Sequence, residues 1–393
     1  MKKYISGGII ALTAVACGGV KENCAVDIAP AKRAVLPIGS NDSVKGVSAP
    51  FTGFLEGKVI VGGGCNFPAA PASQGGSKQY YKDIYAYSAI DDSWRRIGGF
   101  PQGLAYGASV VNGDEWICLG GNNNTGSSAA VYSVRMKGDG CTIDTLPSLP
   151  ESMDNFAAVK SGHHIYVTGG NSNGKPGNGL FAFDLQHRDK WVRLSDFPGP
   201  SRIQPMLLQG GNGEVLLMGG FQSGNQKEIP VLSEKVYAYS PRQDMWREST
   251  TLPLSQTDNR YPGAAGAFGV NIDDSTLLIG GGVNQSVFMQ ALDADRQIAE
   301  ALQHGQADVA DMLATAKKEY LNHPAEWYRF NAELYLYNVY TDQWSRAGCF
   351  PETARAGAGA VSDGEFLYVI GGELKPGVRT DSVYAIPLSG LKM

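Results

Sequence analysis

The chain has little of what would indicate nucleic acid, a metal centre or a membrane-spanning domain. Its 393 residues carry 33 lysines and arginines against 38 aspartates and glutamates, for a net charge of -5. Such a balance offers no basic surface to nucleic acid or to an anionic membrane. Beyond the N-terminus no apolar run reaches the roughly 20 residues that a membrane-spanning helix needs. We therefore expect neither a nucleic-acid partner nor a transmembrane domain.

Cysteine and histidine are also scarce, at six and five residues. No Cys-x-x-Cys pair occurs, and no metal site is predicted. Cys118 lies in a predicted core strand and is expected to be a small buried residue. The other cysteines are Cys17, Cys24, Cys65, Cys141 and Cys349, and their pairing stays open.

The N-terminus predicts an export signal. Lys2 and Lys3 give a positive start, and the apolar stretch from Tyr4 ends in small residues at Ala16. Cys17 follows at once, as in a bacterial lipoprotein signal. We expect residues 1–16 to be the signal peptide, Cys17 to carry lipid, and residues 17–26 to be a tether. The protein would then be exported to the periplasm and held at a membrane only through Cys17. The alternative is ordinary cleavage near Ala16, which releases a soluble periplasmic protein.

Glycine, in contrast, is abundant, with 51 residues, and its pattern predicts the fold. Glycine doublets recur along the chain, and each closes a short apolar run. One doublet per unit of roughly 50 residues is the signature of a kelch-type propeller, in which four-stranded blades stack around an axis. Six doublets predict an all-β, six-bladed propeller, and they are Gly62-Gly63, Gly120-Gly121, Gly169-Gly170, Gly219-Gly220, Gly281-Gly282 and Gly371-Gly372.

Aromatic strands follow most doublets, and we interpret them as packing between blades. Tyr-x-Tyr or Phe-x-Phe puts two rings on one face of a strand. A tryptophan strand comes next, with Trp94, Trp191, Trp246 and Trp344 in four units. The second unit has no tryptophan in this position, and Leu146 is expected to fill it.

Two segments depart from the repeat. The last unit stops after its third strand, so residues 27–38 are expected to pair onto it and close the ring. Residues 285–330 form an insertion that reads largely as helix, with a break near His304-Gly305. We interpret this insertion as a lid over the propeller mouth, and a decorative cap is the alternative.

Polar residues just past the doublets and in the loops between blades should meet at one mouth. The final loop is distinctive, because Glu373 follows a buried strand and Arg379 comes six residues later across a Pro-Gly turn. A glutamate there can act as a general acid or base, and an arginine can hold a carboxylate. A surface ion pair is the alternative. The other candidates for binding a polar, anionic ligand are Tyr106, Asn171, Arg202, Asn284, Gln285 and Arg355.

The stretch from Glu373 to Arg379 resembles the bacterial N-acetylneuraminate epimerases, the sialic acid mutarotases. So do the segments 282–288 and 103–107, although Leu104 stands where the non-permuted relative has arginine. The resemblance covers nearly the whole mature chain with the blades in rotated order, as in the cyclically permuted mutarotase family.

The resemblance implies an isomerase that interconverts the anomers of an acidic sugar without metal or cofactor. It implies Glu373 as proton acceptor, Arg379 as the second active-site group, and Asn284 with Gln285 as ligand contacts. Two alternatives remain. One is a non-catalytic kelch module that binds a glycan or protein. The other is a copper radical oxidase, which is disfavoured because His163 and His164 point to opposite faces of a strand.

Overall fold

The computed structural model describes residues 28–40, 44–225, 228–253 and 263–391. Within these ranges the chain forms an all-β propeller with six four-stranded antiparallel sheets. We number the sheets in the order of their first strands. Their strands are Phe51–Leu55, Lys58–Gly62, Asp83–Ser88 and Ser93–Gly99 (sheet 1); Ala108–Asn112, Glu115–Leu119, Val131–Lys137 and Gly140–Leu146 (sheet 2); Ala157–Ser161, His164–Thr168, Leu180–Asp184 and Trp191–Leu194 (sheet 3); Met206–Gln209, Val215–Met218, Lys235–Ser240 and Met245–Thr251 (sheet 4); Ala267–Asn271, Thr276–Gly281, Glu333–Asn338 and Gln343–Cys349 (sheet 5); and Gly359–Ser362, Phe366–Ile370, Val383–Pro387 and Ala31–Arg33 (sheet 6).

The sheets follow one another around a closed ring. The first strand of each sheet contacts the first strands of two others, and sheet 6 contacts sheet 1 in the same way. Buried apolar side chains fill the space between neighbouring sheets. Trp116 of sheet 2, for example, packs beside Phe51 of sheet 1 and beside Phe100, which directly follows the last strand of that sheet. Because each sheet shares its core with its neighbours, no sheet buries its own faces alone.

The ring closes through the N-terminal strand. Ala31–Arg33 pairs antiparallel with Val383–Pro387 and forms the outer edge of sheet 6, with Ala31 opposite Ala385. The first and last strands of the described chain are therefore members of one sheet.

Each glycine doublet lies where one sheet meets the next. The N–H of the second glycine donates to a backbone carbonyl in the loop that leads into the following sheet, as Gly170 does to Arg202 at 2.7 Å. In the first unit the residues in this role are Gly63 and Gly64, one position later than the sequence predicts. They have the positive φ of the other doublets, 69° and 91°, whereas Gly62 does not. A Cβ on Gly63 would lie 2.4 Å from the Leu104 carbonyl oxygen, so glycine is required there.

The aromatic strands pack between sheets. Tyr87 of sheet 1 meets Tyr368 of sheet 6, and Tyr166 of sheet 3 meets Tyr239 of sheet 4. The prediction for Leu146 is wrong. The tryptophans pair with the last aromatic residue of the third strand, as Trp94 does with Tyr87. In the third strand of sheet 2 the corresponding residue is Val134, and Ile143 lies opposite it. Leu146 lies three residues further along the outer strand, opposite Val131.

The insertion between the second and third strands of sheet 5 is helical. Helix α1 spans Gln285–Gln303 and helix α2 spans Ala307–Glu319, followed by the short turns Tyr320–Asn322 and Ala325–Tyr328. The helices break at His304 and Gly305, where Gly305 has a φ of 69°. Among the described residues no helix is long and apolar enough to cross a membrane.

Candidate active site

Short hairpins follow the glycine doublets on one face of the ring. They place the polar residues of that face beside the loops that lead into the next sheet. Their strands are Cys65–Asn66 with Gln79–Tyr80, Asn122–Asn123 with Gly126–Ser127, Asn171–Ser172 with Met153–Asp154 and Lys175–Pro176, Phe221–Gln222 with Val231–Leu232, and Glu373–Lys375 with Val378–Arg379.

A ring of left-handed residues lies at the centre of this face. One residue just before the first strand of each sheet has a φ of 52–65°. Backbone hydrogen bonds of 2.7–3.1 Å join five of the six successive pairs, for example Tyr106 N–H to the Ala49 carbonyl. Half of the ring is polar and half carries little or no side chain. The polar half consists of Tyr106, Asn155 and Gln204, and the bare half consists of Ala49, Gly266 and Gly357.

Glu373 and Arg379 lie beside the bare half of this ring. They are opposite each other in their hairpin, and Arg379 Nη2 lies 2.6 Å from Glu373 Oε1. The Glu373 backbone exchanges two hydrogen bonds with Ala356, the neighbour of Gly357. Arg379 Nε donates to Ser48 Oγ, next to Ala49, at 3.1 Å.

The pair is mostly withdrawn from solvent, since the Arg379 side chain is 2% exposed and that of Glu373 21%. Burial raises the pKa of the Glu373 carboxyl, and the charges of Arg379 and Lys78 offset part of that rise. Burial lowers the pKa of Arg379, but the charge of Glu373 together with the smaller contributions of Tyr106 and Cys65 outweighs burial, and the net shift is upward. The carboxylate thus has the environment of a base that works closer to neutrality than a free glutamate.

Tyr106 brings a hydroxyl to the same place. Lys78 Nζ donates to the Tyr106 hydroxyl oxygen at 2.9 Å, and the Cys65 thiol lies 3.4 Å from it. Lys78 also sits 4.6 Å above the centre of the Tyr106 ring. Burial raises the pKa of Tyr106 well above its usual value, and the nearby Glu373 charge adds to this.

A second carboxylate, Asp154, organises the polar half of the ring. It is 3% exposed and accepts hydrogen bonds from four side chains. One of them is Asn171, predicted as a ligand contact, whose Nδ2 donates to Asp154 Oδ1 at 2.8 Å. The network orients several amides on the mouth face, and the other three donors are Asn122, Ser127 and Asn155.

The two other candidate arginines lie between sheets. Arg202 and Arg355 are 2% and 3% exposed. The Arg355 Nη1 donates to the carbonyls of Gly371 and Ser382 at 2.9 and 3.0 Å. The Arg202 guanidinium lies 4.8 Å from the Tyr237 ring centre. Burial lowers the pKa of each arginine to about 10. Arg202 and Arg355 each lie two residues before a member of the left-handed ring, and the buried Leu104 has the same position before Tyr106. Residues at this position therefore pack neighbouring sheets together.

Asn284 and Gln285 begin helix α1. Asn284 is its N-cap, and its Oδ1 accepts from the Val287 N–H at 3.1 Å. Gln285 Nε2 donates to Glu234 at 3.2 Å, while its Oε1 is buried and has no hydrogen-bond partner among the described residues. The described contacts of Asn284 are therefore those of a helix cap. Cys17, the predicted lipid site, lies outside the described residues.

The end of the helical insertion rests on the Glu373–Arg379 hairpin. Lys375 Nζ donates to the His323 carbonyl at 2.6 Å and to that of Leu321 at 3.2 Å. Burial raises the pKa of Tyr320, and the charge of Glu373 contributes to the rise. The insertion thus delivers the Tyr320 ring to the neighbourhood of the carboxylate.

The structure brings Glu373, Arg379 and Tyr106 together. Sequence reasoning missed Lys78 and Cys65, which contact Tyr106, and Ser48, which bonds Arg379. It also missed Asp154, which accepts from Asn171. None of these four residues belongs to a repeated motif. Of these residues only Asp154 could have been found from the sequence, because it precedes the polar residue Asn155 in a loop between sheets.

Comparison with known proteins gives the family. A family model described as N-acetylneuraminate epimerase matches residues 22–143 and 146–392. The chain belongs to the N-acetylneuraminate epimerase family. The resemblance drawn from the hairpin and its neighbouring motifs is thereby confirmed.

Individual relatives match over part of their length. The N-acetylneuraminate epimerase of Salmonella paratyphi B is 33% identical over 246 residues, which are 61% of this chain and 58% of the relative. That of Haemophilus influenzae is 29% identical over 238 residues, 60% of this chain and 57% of the relative. The chain thus spans less than two thirds of these epimerases.

A solved structure supports the fold. The protein YjhT superimposes with a TM-score of 0.52 at 28% identity, covering 62% of this chain and 64% of YjhT.

Proposed function

We propose that this protein is a mutarotase that interconverts the α and β anomers of N-acetylneuraminate. The observation that carries the proposal is the ion pair of Glu373 and Arg379, 2.6 Å apart, nearly buried and placed beside the bare half of the central ring. Ala49, Gly266 and Gly357 carry no side chain beyond Cβ on this half of the ring. Membership in the N-acetylneuraminate epimerase family supports the same reaction.

Mutarotation opens a cyclic hemiketal and closes it again on the other face of the carbonyl. Glu373 takes the proton of the anomeric hydroxyl while the bond from the anomeric carbon to the ring oxygen breaks. Burial favours this role, because it raises the pKa of the carboxyl toward the working pH. The reaction also occurs in free solution, so a modest acceleration suffices. General acid-base catalysis typically supplies about 10²–10⁴-fold.

Arg379 binds the sugar carboxylate. Its Nη2 and Nε contact Glu373 and Ser48, whereas its Nη1 is buried without a hydrogen-bond partner within the described part of the chain. An unpaired buried donor costs free energy, about 1–3 kcal/mol. A substrate carboxylate would satisfy it with a charge-assisted hydrogen bond.

The helical insertion acts as a lid in this proposal. Its end already holds the hairpin through Lys375 and places Tyr320 near Glu373. Exclusion of water at this point would strengthen the interactions of both charged groups with the sugar.

The test is proton NMR of freshly released α-N-acetylneuraminate. We expect the wild-type protein to bring the anomers to equilibrium faster than buffer, and Glu373→Gln to lose most of this acceleration. Glu365→Gln, the same change at an exposed turn of sheet 6, is the matched control and should behave as wild type. If wild type and Glu373→Gln bind the sugar equally but neither exceeds the buffer rate, the protein is a binding module.

We also propose that the protein is exported and carries lipid at Cys17. The positive start, apolar stretch and cysteine support this. The test is mass spectrometry of the mature N-terminus, combined with fractionation of Cys17→Ala. A lipid-modified Cys17 supports the anchor, and a free N-terminus near Ala16 supports plain cleavage.

The rotated order of sheets is part of the proposal as well. Each relative matches about three fifths of both chains, while the family model covers almost the whole chain in two segments. Aligning each sheet with each sheet of YjhT tests it. A rotated correspondence supports the permutation, and a collinear one contradicts it.

A further inference from the structure

The mouth holds a second group able to transfer a proton. Building on the proposed mutarotase activity, we propose that Tyr106 donates the proton that the ring oxygen takes as the sugar opens, and that Lys78 positions the Tyr106 hydroxyl for this step. Glu373 acts at the anomeric hydroxyl, so the two residues serve different oxygen atoms of one substrate.

The surroundings of the Tyr106 hydroxyl fit a proton donor. Its oxygen accepts from Lys78 Nζ at 2.9 Å and contacts the Cys65 thiol at 3.4 Å. Both neighbours approach the oxygen with a hydrogen, so the tyrosine's own proton is directed elsewhere. A phenolate formed after donation would face the Lys78 ammonium, which stabilises it. Tyr106 is partly exposed at the mouth.

The backbone holds Tyr106 rigidly in place. It belongs to the left-handed ring, with a φ of 61°. Its N–H donates to the Ala49 carbonyl at 3.1 Å, and its own carbonyl accepts from Asn155 at 2.7 Å. A left-handed backbone is unusual for a tyrosine, and such conformations persist where the surrounding structure enforces them.

Tyr106 and Glu373 are both close to Arg379. Glu373 pairs with Nη2 of the guanidinium, and the charge of Arg379 acts on the pKa of Tyr106. A sugar whose carboxylate is bound by Arg379 would therefore have its anomeric centre within reach of both groups. This arrangement matches the chemistry, because the carboxylate, the anomeric hydroxyl and the ring oxygen are all attached to the anomeric carbon.

The protons balance over a full cycle. On opening, Glu373 receives the proton of the anomeric hydroxyl, the bond between the anomeric carbon and the ring oxygen breaks, and Tyr106 gives its proton to that oxygen. The open-chain ketone then turns its other face. On closing, the Tyr106 phenolate takes the proton back as the oxygen attacks the carbonyl carbon, and Glu373 returns its proton to the former carbonyl oxygen.

Two other tyrosines at the mouth fit the role less well. The Tyr80 hydroxyl donates to Asn122 Oδ1 at 3.2 Å, so its proton is engaged. Burial and the charge of Glu373 raise the pKa of Tyr320, as they do that of Tyr106, but within the described residues no lysine or arginine bonds the Tyr320 hydroxyl.

The test compares Tyr106→Phe with Tyr320→Phe and with Tyr166→Phe, a ring that packs against Tyr239 inside the propeller. Anomer exchange is measured at equilibrium by NMR magnetisation transfer, and affinity for N-acetylneuraminate by calorimetry. We expect Tyr106→Phe to slow exchange about 10²-fold. Its affinity should fall by less than about tenfold, the range of one neutral hydrogen bond. Tyr166→Phe should exchange anomers within a few-fold of wild type, and Tyr320→Phe should lose less of the exchange rate than Tyr106→Phe.

Lys78 variants separate positioning from mere structure. Lys78→Met should lower the exchange rate, and Lys78→Arg should restore part of it, because arginine also donates to the phenol oxygen. Equal loss in both would show that only the shape of the lysine matters and would overturn its role.

The outcomes distinguish this inference from the proposed function. A wild-type protein with no activity overturns both. An active wild type with fully active Tyr106→Phe overturns only the assignment of Tyr106. Loss of activity in Tyr320→Phe with retention in Tyr106→Phe also overturns it, in favour of the insertion's tyrosine.

Discussion

Arg379 meets Glu373 both through the backbone and through the side chain. The two residues are register partners in the last hairpin, and Nη2 lies 2.6 Å from Oε1. A spacing of six residues across a Pro-Gly turn thus becomes a direct contact. The backbone pairing and the ion pair hold the two residues together, and Nη1 of the guanidinium stays available to a ligand.

Arg379→Lys should weaken substrate binding more than turnover. Lysine offers one ammonium group and cannot contact Glu373, Ser48 and a sugar carboxylate with the geometry of a guanidinium. Loss of a charged hydrogen bond costs about 1.5–3 kcal/mol, so KM should rise about 10–100-fold. Steady-state kinetics measure it. Arg346→Lys, at an exposed ion pair with Glu333, serves as control. An unchanged KM would contradict a carboxylate-binding role for Arg379.

The activity should depend on pH through Glu373. A general base must be ionised, so the rate should fall as the pH drops through the pKa of Glu373, which burial raises above the ordinary value of about 4.3. The charge of Lys78 lowers this pKa. In Lys78→Met the acid limb of the pH-rate profile should therefore move to higher pH. A limb that stays in place, or moves down, would show that Lys78 does not act on the carboxyl.

Asp154→Asn should destabilise the fold. The carboxylate accepts from four side chains, and an amide oxygen cannot replace both of its oxygens. We expect a loss of about 2–4 kcal/mol in the free energy of unfolding at neutral pH, measured with urea.

The same substitution predicts a pH dependence. Burial tends to raise the pKa of Asp154, but its hydrogen bonds outweigh burial and lower it below the unfolded value of about 3.9. The carboxylate therefore stabilises the fold above about pH 3.9, and this contribution is lost as the pH falls through the folded pKa. The gap between wild type and variant should narrow below pH 3.9. A gap independent of pH would contradict an ionised Asp154.

Asn284→Ala should cost about 0.5–2 kcal/mol, the value of a helix N-cap. Asn284→Ser should recover most of this, since serine caps helices as well as asparagine does. Urea unfolding of the three proteins measures the difference. Equal loss in both variants would indicate that the side chain does something other than accept from the Val287 N–H.

The fold could be predicted because its information is local and repeated. A glycine doublet after each apolar run marks a close approach between sheets, and the bond from Gly170 to Arg202 shows the reason. Leu146 shows the limit of such reasoning. The tryptophan position of sheet 2 lies opposite Val134, and the register of the outer strand decides which residue fills it. That register places Ile143 there, not Leu146.

The site could be predicted only in part. Glu373 and Arg379 share one hairpin, so their spacing carries their contact. Lys78 reaches Tyr106 from another sheet, and no sequence spacing encodes that distance of 2.9 Å. Arg202 and Arg355 look the same in sequence as arginines of a binding site, yet both turn inward between sheets, because the residue two positions before the left-handed ring is covered by the next sheet.

The strand Ala31–Arg33 closes the ring by joining sheet 6, and this sheet abuts sheet 1 beside the candidate site. Arg379 and Ser48, whose side chains bond at 3.1 Å, therefore lie on opposite sides of the seam. They are far apart along the chain, so their contact carries one of the largest loop-closure costs in the molecule. A chain with most of its sheets formed but its seam open would have a core and no active site. The mutarotase activity proposed for this molecule would therefore require a closed ring of sheets.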